Sequence, residues 1–328
     1  MAKILLYKAL PYEPEFNKIF KGVYDDFKNR SYREYKFELA PLDYEDFISY
    51  VEEGFLKCII LFEDNIPTAF LVYTTAISES IELNVIHSIS DIDITMKRKL
   101  LLEKFLELEH ELLKEKVTVY PMLGIQEQFV PEIPNYGFKL TGQAVMSFKF
   151  QSASSREIFK RFKPKELPAE YEITQWIGEY YNDMVNVITK SFSDTVDAEF
   201  DPRFTTKTGA KDILDKITKG TYGEFLPNFS TVALYKGKPV GMCFINITAG
   251  KIANVPVIGL EKLHRYKGLG EALLYNSMTR IMDDTSVILE EINVTTETDN
   301  YPSVKMYRRM GFKESYWYPQ AHRPAGVK

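Results

Sequence analysis

The chain has 328 residues, a net charge of −5, and is 45% hydrophobic and 27% charged, which suits two domains of ordinary size and offers no global basic field for nucleic acid. Its two cysteines, Cys58 and Cys243, lie in separate apolar runs and its four histidines are scattered, so neither a disulfide framework nor a metal site is expected. The start Met1-Ala2-Lys3 lacks a signal-peptide pattern and no run approaches the roughly 20 apolar residues of a membrane span, which leaves a cytoplasmic monomer or homodimer without nucleic-acid or membrane partners as the expectation.

A short strand is expected at residues 4–7. Residues 13–29 carry Phe16, Ile19, Phe20, Val23, Tyr24 and Phe27 at helical spacing, and residues 43–53 form a second helix. Strands at 57–63 and 68–75 flank the turn residues Asp64-Asn65, and a third follows at 81–86. A long helix at 96–116, a strand at 117–120, a turn at Asn135-Tyr136-Gly137-Phe138 and a strand at 144–150 complete the first half. Gln151 to Ser155 and the charged segment 160–165 read as a join. The second half repeats the order. It has a strand at 171–176, helices at 180–192 and 210–218, and a hairpin of 231–235 with 240–247 around Lys236-Gly237-Lys238. A strand at 252–260, a helix at 268–282, a strand at 288–294, a helix at 301–310 and a strand at 312–318 follow. The matching order predicts a duplicated α/β fold with mixed sheets, as domains 1–150 and 171–328 joined by 151–170.

The sharpest local signal follows the strand at 252–260, where Arg265-Tyr266-Lys267-Gly268-Leu269-Gly270 opens a helix. The first amides of a helix have no intrahelical partner and its dipole places partial positive charge there, so this is an anion site in principle. Gly268 and Gly270 let phosphate oxygens approach the backbone, and Arg265 and Lys267 add charge. A P-loop is excluded because Gly270 is followed by Glu271-Ala272, and a dinucleotide fingerprint because the third glycine is missing. Downstream, Asn300, Ser303 and Tyr307 are spaced three and four residues apart, near one helix face, with Pro302 in the first turn and Gly311 at the C-cap.

The Arg-x-x-Gly-x-Gly loop and the Asn300/Ser303/Tyr307 helix ending in Gly311-Phe312 together resemble the two motifs of the GNAT superfamily of N-acetyltransferases, in the same order, over residues 171–318. The resemblance implies acetyl-CoA as co-substrate and no metal. Backbone amides from Arg265 to Glu271, through Tyr266, Lys267, Gly268, Leu269 and Gly270, would hold pyrophosphate. The backbone at Leu260 and Lys262 would pair with the pantetheine arm, and Lys262 stands where family members commonly have Pro. Asn300 and Ser303 belong to the cofactor helix. Tyr307 would donate its proton to the leaving thiolate. Lys305, Arg308 and Arg309 are candidates for the ribose phosphate.

The acceptor would be a primary amine of a small molecule or peptide. Glu261, Glu291, Glu297 and a water held by Asn293 remain open as the base. The acidic cluster Asp194, Asp197, Glu199, Asp201 suits an amine. In the first half, the equivalent stretch Ser90-Asp91-Ile92-Asp93-Ile94-Thr95-Met96-Lys97-Arg98 has no glycine and carries two acids. Residues 1–150 therefore read as a degenerate copy without CoA, a tandem layout similar to that of mycothiol synthase. A non-catalytic acyl-CoA-sensing module, a structural protein and a longer-chain acyltransferase are the alternatives.

Overall fold

The computed structural model describes residues 3–7, 14–34, 42–75, 80–89, 92–122, 126, 128–284 and 288–327. The strands are β1 (Lys3–Leu6), β2 (Lys57–Glu63), β3 (Ile66–Thr74), β4 (Ile81–Ser88), β5 (Thr118–Pro121), β6 (Lys139–Lys149), β7 (Tyr171–Gln175), β8 (Glu224–Phe225), β9 (Thr231–Tyr235), β10 (Lys238–Cys243), β11 (Asn246–Ala249), β12 (Ile252–Asn254), β13 (Ile258–Leu260), β14 (Glu291–Glu297) and β15 (Lys313–Arg323). The helices are α1 (Pro14–Glu34), α2 (Tyr44–Glu53), α3 (Ile94–Leu108), α4 (Ala153–Arg161), α5 (Tyr181–Phe192), α6 (Val196–Phe200), α7 (Lys207–Thr218), α8 (Leu269–Asp283) and α9 (Tyr301–Arg309). Among the described residues no helix is long and apolar enough to cross a membrane. The chain divides into two units, Met1–Thr141 with Tyr318–Lys328, and Gly142–Trp317.

In the first unit the strand order is β1-β2-β3-β4-β5, closed by the C-terminal part of β15. The continuous apolar run of β2 serves two cores because successive side chains point to opposite faces. Ile59 and Leu61 enter the core under α3, with Leu101, Leu102 and Phe105. Cys58, Ile60 and Phe62 enter the other, with Phe20, Tyr24 and Phe47 of α1 and α2. Asp64 and Asn65 both have positive φ (50° and 66°), as a two-residue hairpin turn between right-twisted strands requires.

The second unit has one run of strands β6-β14-β12-β11-β8 and a separate sheet β13-β10-β9-β7. Side chains from both sheets meet α8 and α9 in one core, with Ala233, Cys243, Leu273, Ile292 and Phe312. α5 and α7 cover the other face of the smaller sheet through Val187, Ile213, Val232 and Met242. Cys58 and Cys243 are free and buried; burial pushes the Cys243 thiol up to about 12, which leaves it inert.

The structure departs from the sequence reading at several places. The expected join is partly a helix: Ser152 Oγ accepts from the Ser155 amide at 3.3 Å and caps α4, and Phe159 and Phe162 are buried in the core. The two terminal strands are exchanged. β6 pairs with β14 from Gln143↔Glu297 to Lys149↔Glu291 inside the second unit, while β15 pairs with β5 from Arg323↔Thr118 to Gln320↔Pro121 inside the first. Alternation predicts a strand but carries no information on its partner. The strand expected at 240–247 is also broken, as β10 in one sheet and β11 in the other.

Candidate active site

Residues 252–260 form two strands rather than one. β12 lies parallel to β14, from Ile252↔Glu291 to Asn254↔Asn293, whereas β13 lies antiparallel to β10, from Ile258↔Cys243 to Leu260↔Gly241. The chain changes sheets at Pro256, which has no amide hydrogen to continue a ladder. On one side the Val255 amide donates to Asn293 O at 2.9 Å, and on the other the Phe244 amide donates to Val257 O at 3.0 Å. β13 is thus an edge strand, with one side of its backbone unpaired within its sheet. A Cβ on Gly259 would lie 2.7 Å from the Phe192 ring, so this strand carries glycine to let α5 pack against it.

From the end of β13 a 3-10 turn, Lys262–His264, leads into the glycine loop. Gly268, at φ 88°, is the N-cap of α8 and supplies no side-chain acceptor, so the helix begins with its amides uncapped by side chains. Gly270 has open space in front of it: an added Cβ would meet only Met306 Sδ at 3.5 Å and Leu260 Cδ1 at 3.9 Å. α9 faces this loop from the other wall. Asn300 Oδ1 accepts from the Ser303 amide at 3.4 Å and caps α9, so the spacing of Asn300 and Ser303 has a local structural cause. The cavity between these elements measures about 730 Å³, within the usual range for an organic ligand.

Of the residues expected at the site, Leu260, Arg265, Tyr266, Gly268, Gly270 and Glu271 line the cavity from the loop side. Asn300, Ser303 and Tyr307 line it from α9. Three others do not line it. Lys262 Nζ is paired with Asp194 at 2.6 Å, Lys267 Nζ donates to Leu263 O at 3.1 Å, and the Leu269 side chain is fully buried in the core. Arg265 is at the cavity but partly committed: its Nε donates to Leu260 O at 3.2 Å and its Nη2 to Ser191 O at 2.6 Å. It ties the end of β13 to α5 as well as adding charge. Arg309 reaches the cavity too, paired with Glu271 and set over the Phe162 ring at 5.3 Å, whereas Arg308 pairs with Glu314. Lys165 lines the cavity beside Gly268, whose added Cβ would lie 3.1 Å from Lys165 Cβ. Sequence reasoning missed Lys165 because its segment reads as linker. It also missed Phe192 and Met306, which read as ordinary core residues.

Tyr307 is 2% exposed, at the cavity wall, and its ring lies 5.8 Å from that of Phe312. Burial, and then the neighbouring Cys243 and Asp197, push its phenol well above the ordinary value, so it stays protonated throughout the neutral range.

The acidic candidates separate by their partners. Glu261 is ion-paired with Lys190 at 3.1 Å and Glu291 lies 3.8 Å from Lys149. Asn293 is buried and accepts from Ser147 Oγ, which occupies it within the protein. Asp194 is taken by Lys262, whose hydrogen bond lowers its pKa, and Asp201 by Arg203 at 2.6 Å. Desolvation sets two of the carboxylates apart. Asp197 lines the cavity, reachable by solvent there yet surrounded by protein atoms, and desolvation raises its pKa; its carboxylate accepts from Thr195 Oγ1 at 2.9 Å. Glu297, at the end of β14, is pushed up to about 7 by burial first and then by Asp197, Asp299 and Glu199. Glu297 is not itself on the cavity wall; its charge is coupled to Asp197, which is. Among the described residues no group of three or more His, Cys, Asp or Glu side chains could hold a metal ion.

A model of the acetyltransferase (GNAT) family matches residues 193–312, the segment that contains the glycine loop and the α9 motif through Gly311-Phe312. No curated protein matches the sequence. Solved structures are similar over nearly the whole chain. A GCN5-related N-acetyltransferase from Sphaerobacter thermophilus superimposes with a TM-score of 0.64 at 12% identity, covering 98% of this chain and 96% of that one. A tandem GNAT protein from the clavulanic acid biosynthesis pathway gives 0.56 at 12% identity, covering 99% and 100%. A glucosamine N-acetyltransferase region of a fungal multi-domain GH3 beta-N-acetylglucosaminidase gives 0.60 at 10% identity, covering 98% of this chain and 38% of that one. At such identities the likeness concerns the fold, which this chain shares over nearly its whole length with tandem GNAT structures, while the GNAT family match itself falls within the second unit.

Proposed function

We propose that the second unit is an acetyl-CoA-dependent N-acetyltransferase acting on a primary amine, by direct attack with both substrates bound. The observation that carries this reading is the cavity that joins the uncapped N-terminus of α8, the unpaired edge of β13 and the buried Tyr307. Acetyl-CoA would supply an activated acyl thioester. Its phosphates fit the space in front of Gly268 and Gly270, where a side chain would intrude, and Lys165, Arg265 and Arg309 bring positive charge to that end. The edge of β13 offers main-chain donors and acceptors to an amide-bearing arm.

The remaining residues divide the proton chemistry. An amine must lose a proton as it becomes an amide, and a thiolate leaving group must gain one. Tyr307 holds a proton on its phenolic oxygen at neutral pH and is the group suited to give it up. Glu297, at about 7, is poised to accept a proton from an amine through water. Asp197 places a carboxylate on the wall where a cationic amine would enter.

The test is calorimetric titration of acetyl-CoA into the wild type and Gly270→Glu, followed by release of free thiol with a panel of amines. The variant places a carboxylate where phosphate would sit. Micromolar-range binding by the wild type, lost in Gly270→Glu, with thiol release on at least one amine, supports the reading. Binding without turnover on any amine would instead favour an acyl-CoA-sensing module. No binding by the wild type would refute both.

A further inference from the structure

The cationic side chains that line the cavity are Lys165, Arg265 and Arg309, and the protein itself engages two of them. Arg265 gives hydrogens from Nε and Nη2 to the carbonyls of Leu260 and Ser191. Arg309 is paired with Glu271, which lines the same cavity, so the two cancel in net charge. Among the described residues, Lys165 makes no hydrogen bond and no ion pair. Its charge is the one left for a ligand.

The connection from α4 to β7 fixes where that charge sits. Phe162 is buried in the core and carries the Arg309 guanidinium over its ring, and Leu167 packs against the same core. The chain is therefore anchored on both sides of Lys165. Pro164 and Pro168 stiffen the segment, because proline fixes its own φ and keeps the residue before it extended. The stem of Lys165 runs across Gly268, the N-cap of α8. A Cβ on that glycine would meet Lys165 Cβ at 3.1 Å, Lys165 Cδ at 3.7 Å and Leu167 Cδ2 at 3.8 Å. The ammonium follows Cδ by a single methylene, which keeps it at the head of the helix. An unpaired cation and helix amides without a side-chain cap thus border the same end of one cavity.

We propose that Lys165 pairs with a phosphate of the bound acyl-CoA, so that a connecting segment outside the family-matched residues 193–312 completes the cofactor site. The inference rests on the acetyl-CoA reading of this cavity. The pyrophosphate and the ribose 3′-phosphate offer the same chemistry to an ammonium group, and the test separates them.

The test is calorimetric titration of acetyl-CoA, and of acetyl-dephospho-CoA, which lacks the 3′-phosphate, into the full-length wild type and its variants at fixed ionic strength. Lys165→Met keeps the stem over Gly268 without the charge and is expected to weaken acetyl-CoA binding roughly tenfold or more. Lys165→Arg restores most of the affinity. Lys163→Met removes the same charge from the same segment, away from the cavity wall, and leaves the affinity unchanged. A loss shared by both ligands places Lys165 on the pyrophosphate, and a loss confined to acetyl-CoA places it on the 3′-phosphate. Wild-type affinity in Lys165→Met, or an equal loss in Lys163→Met, overturns the proposal and leaves the acetyl-CoA reading standing. No binding by the wild type overturns both. Lys165 is exposed, so these changes should not move the melting temperature of the ligand-free protein; should Lys165→Met do so, Lys165→Gln takes its place in the same comparison.

Discussion

Glu297 is held near 7 chiefly because folding buries its carboxyl, against a usual value of 4.5. The sign of the effect on stability follows. The fold binds this proton more tightly than the unfolded chain does, so the contribution to stability is full below about 4.5 and is lost as pH rises through about 7. Glu297→Gln is therefore expected to raise the melting temperature relative to the wild type above pH 7, with the gap closing as pH falls toward 4.5. In the proposed reaction the same change lowers kcat/KM by about 10²–10⁴-fold and removes the rise of the pH–rate profile through neutrality. A variant that keeps that rise would show that another group accepts the proton. Position along the chain left four candidates open for this role; only their partners separate them. Lys190, Lys149 and Ser147 occupy Glu261, Glu291 and Asn293, and each partner is at least 70 residues distant in sequence from the residue it holds.

Among the elements, α9 shows how a motif can be legible before its cause is. Asn300, Ser303 and Tyr307 share a spacing that marks a helix, and the structure gives each a different task. Asn300 caps the helix on the Ser303 amide, Ser303 lines the cavity, and Tyr307 is buried at its wall. Asn300→Ala is expected to cost about 1 kcal/mol of stability, the usual loss for a removed N-cap, measurable by urea denaturation. A much smaller loss would mean that the 3.4 Å contact contributes little to folding. The break between β12 and β13 was not legible. A run of apolar residues from 252 to 260 reads as one strand, and Pro256 within it is a local hint of interruption without a statement of where each half goes. The half that leaves for the other sheet, β13, lines the cavity, so the local pattern conceals the break that sets one wall of the site.

Across the whole molecule, the exchange of terminal strands decides how the chain can be divided. A fragment of residues 151–328, the natural choice from the duplicated order of elements, would lack the β6 residues that pair with all seven positions of β14. It would leave the buried strand core of Ile292 and Val294 with an open edge. That fragment is expected to be insoluble or to melt without a cooperative transition, while the full chain shows one. Removal of residues 318–328 should likewise expose the edge of β5 and lower the stability of the first unit. Soluble, cooperative folding of 151–328 alone would show that β6 is dispensable.

The sequence by itself determined the duplicated α/β order, the glycine loop at the head of a helix and the second motif on α9. These depend on alternation, on helical spacing, and on glycines whose conformational freedom or missing side chain can be read residue by residue. Only the tertiary structure decided which strand completes which sheet, that Lys262 and Lys267 do not line the cavity while Lys165 does, that burial raises the pKa of Glu297 and Asp197, and that the Arg98 Nε is buried without a hydrogen-bond partner. Such assignments depend on contacts between residues far apart in the chain, and on how much water each charged group loses when the fold closes around it.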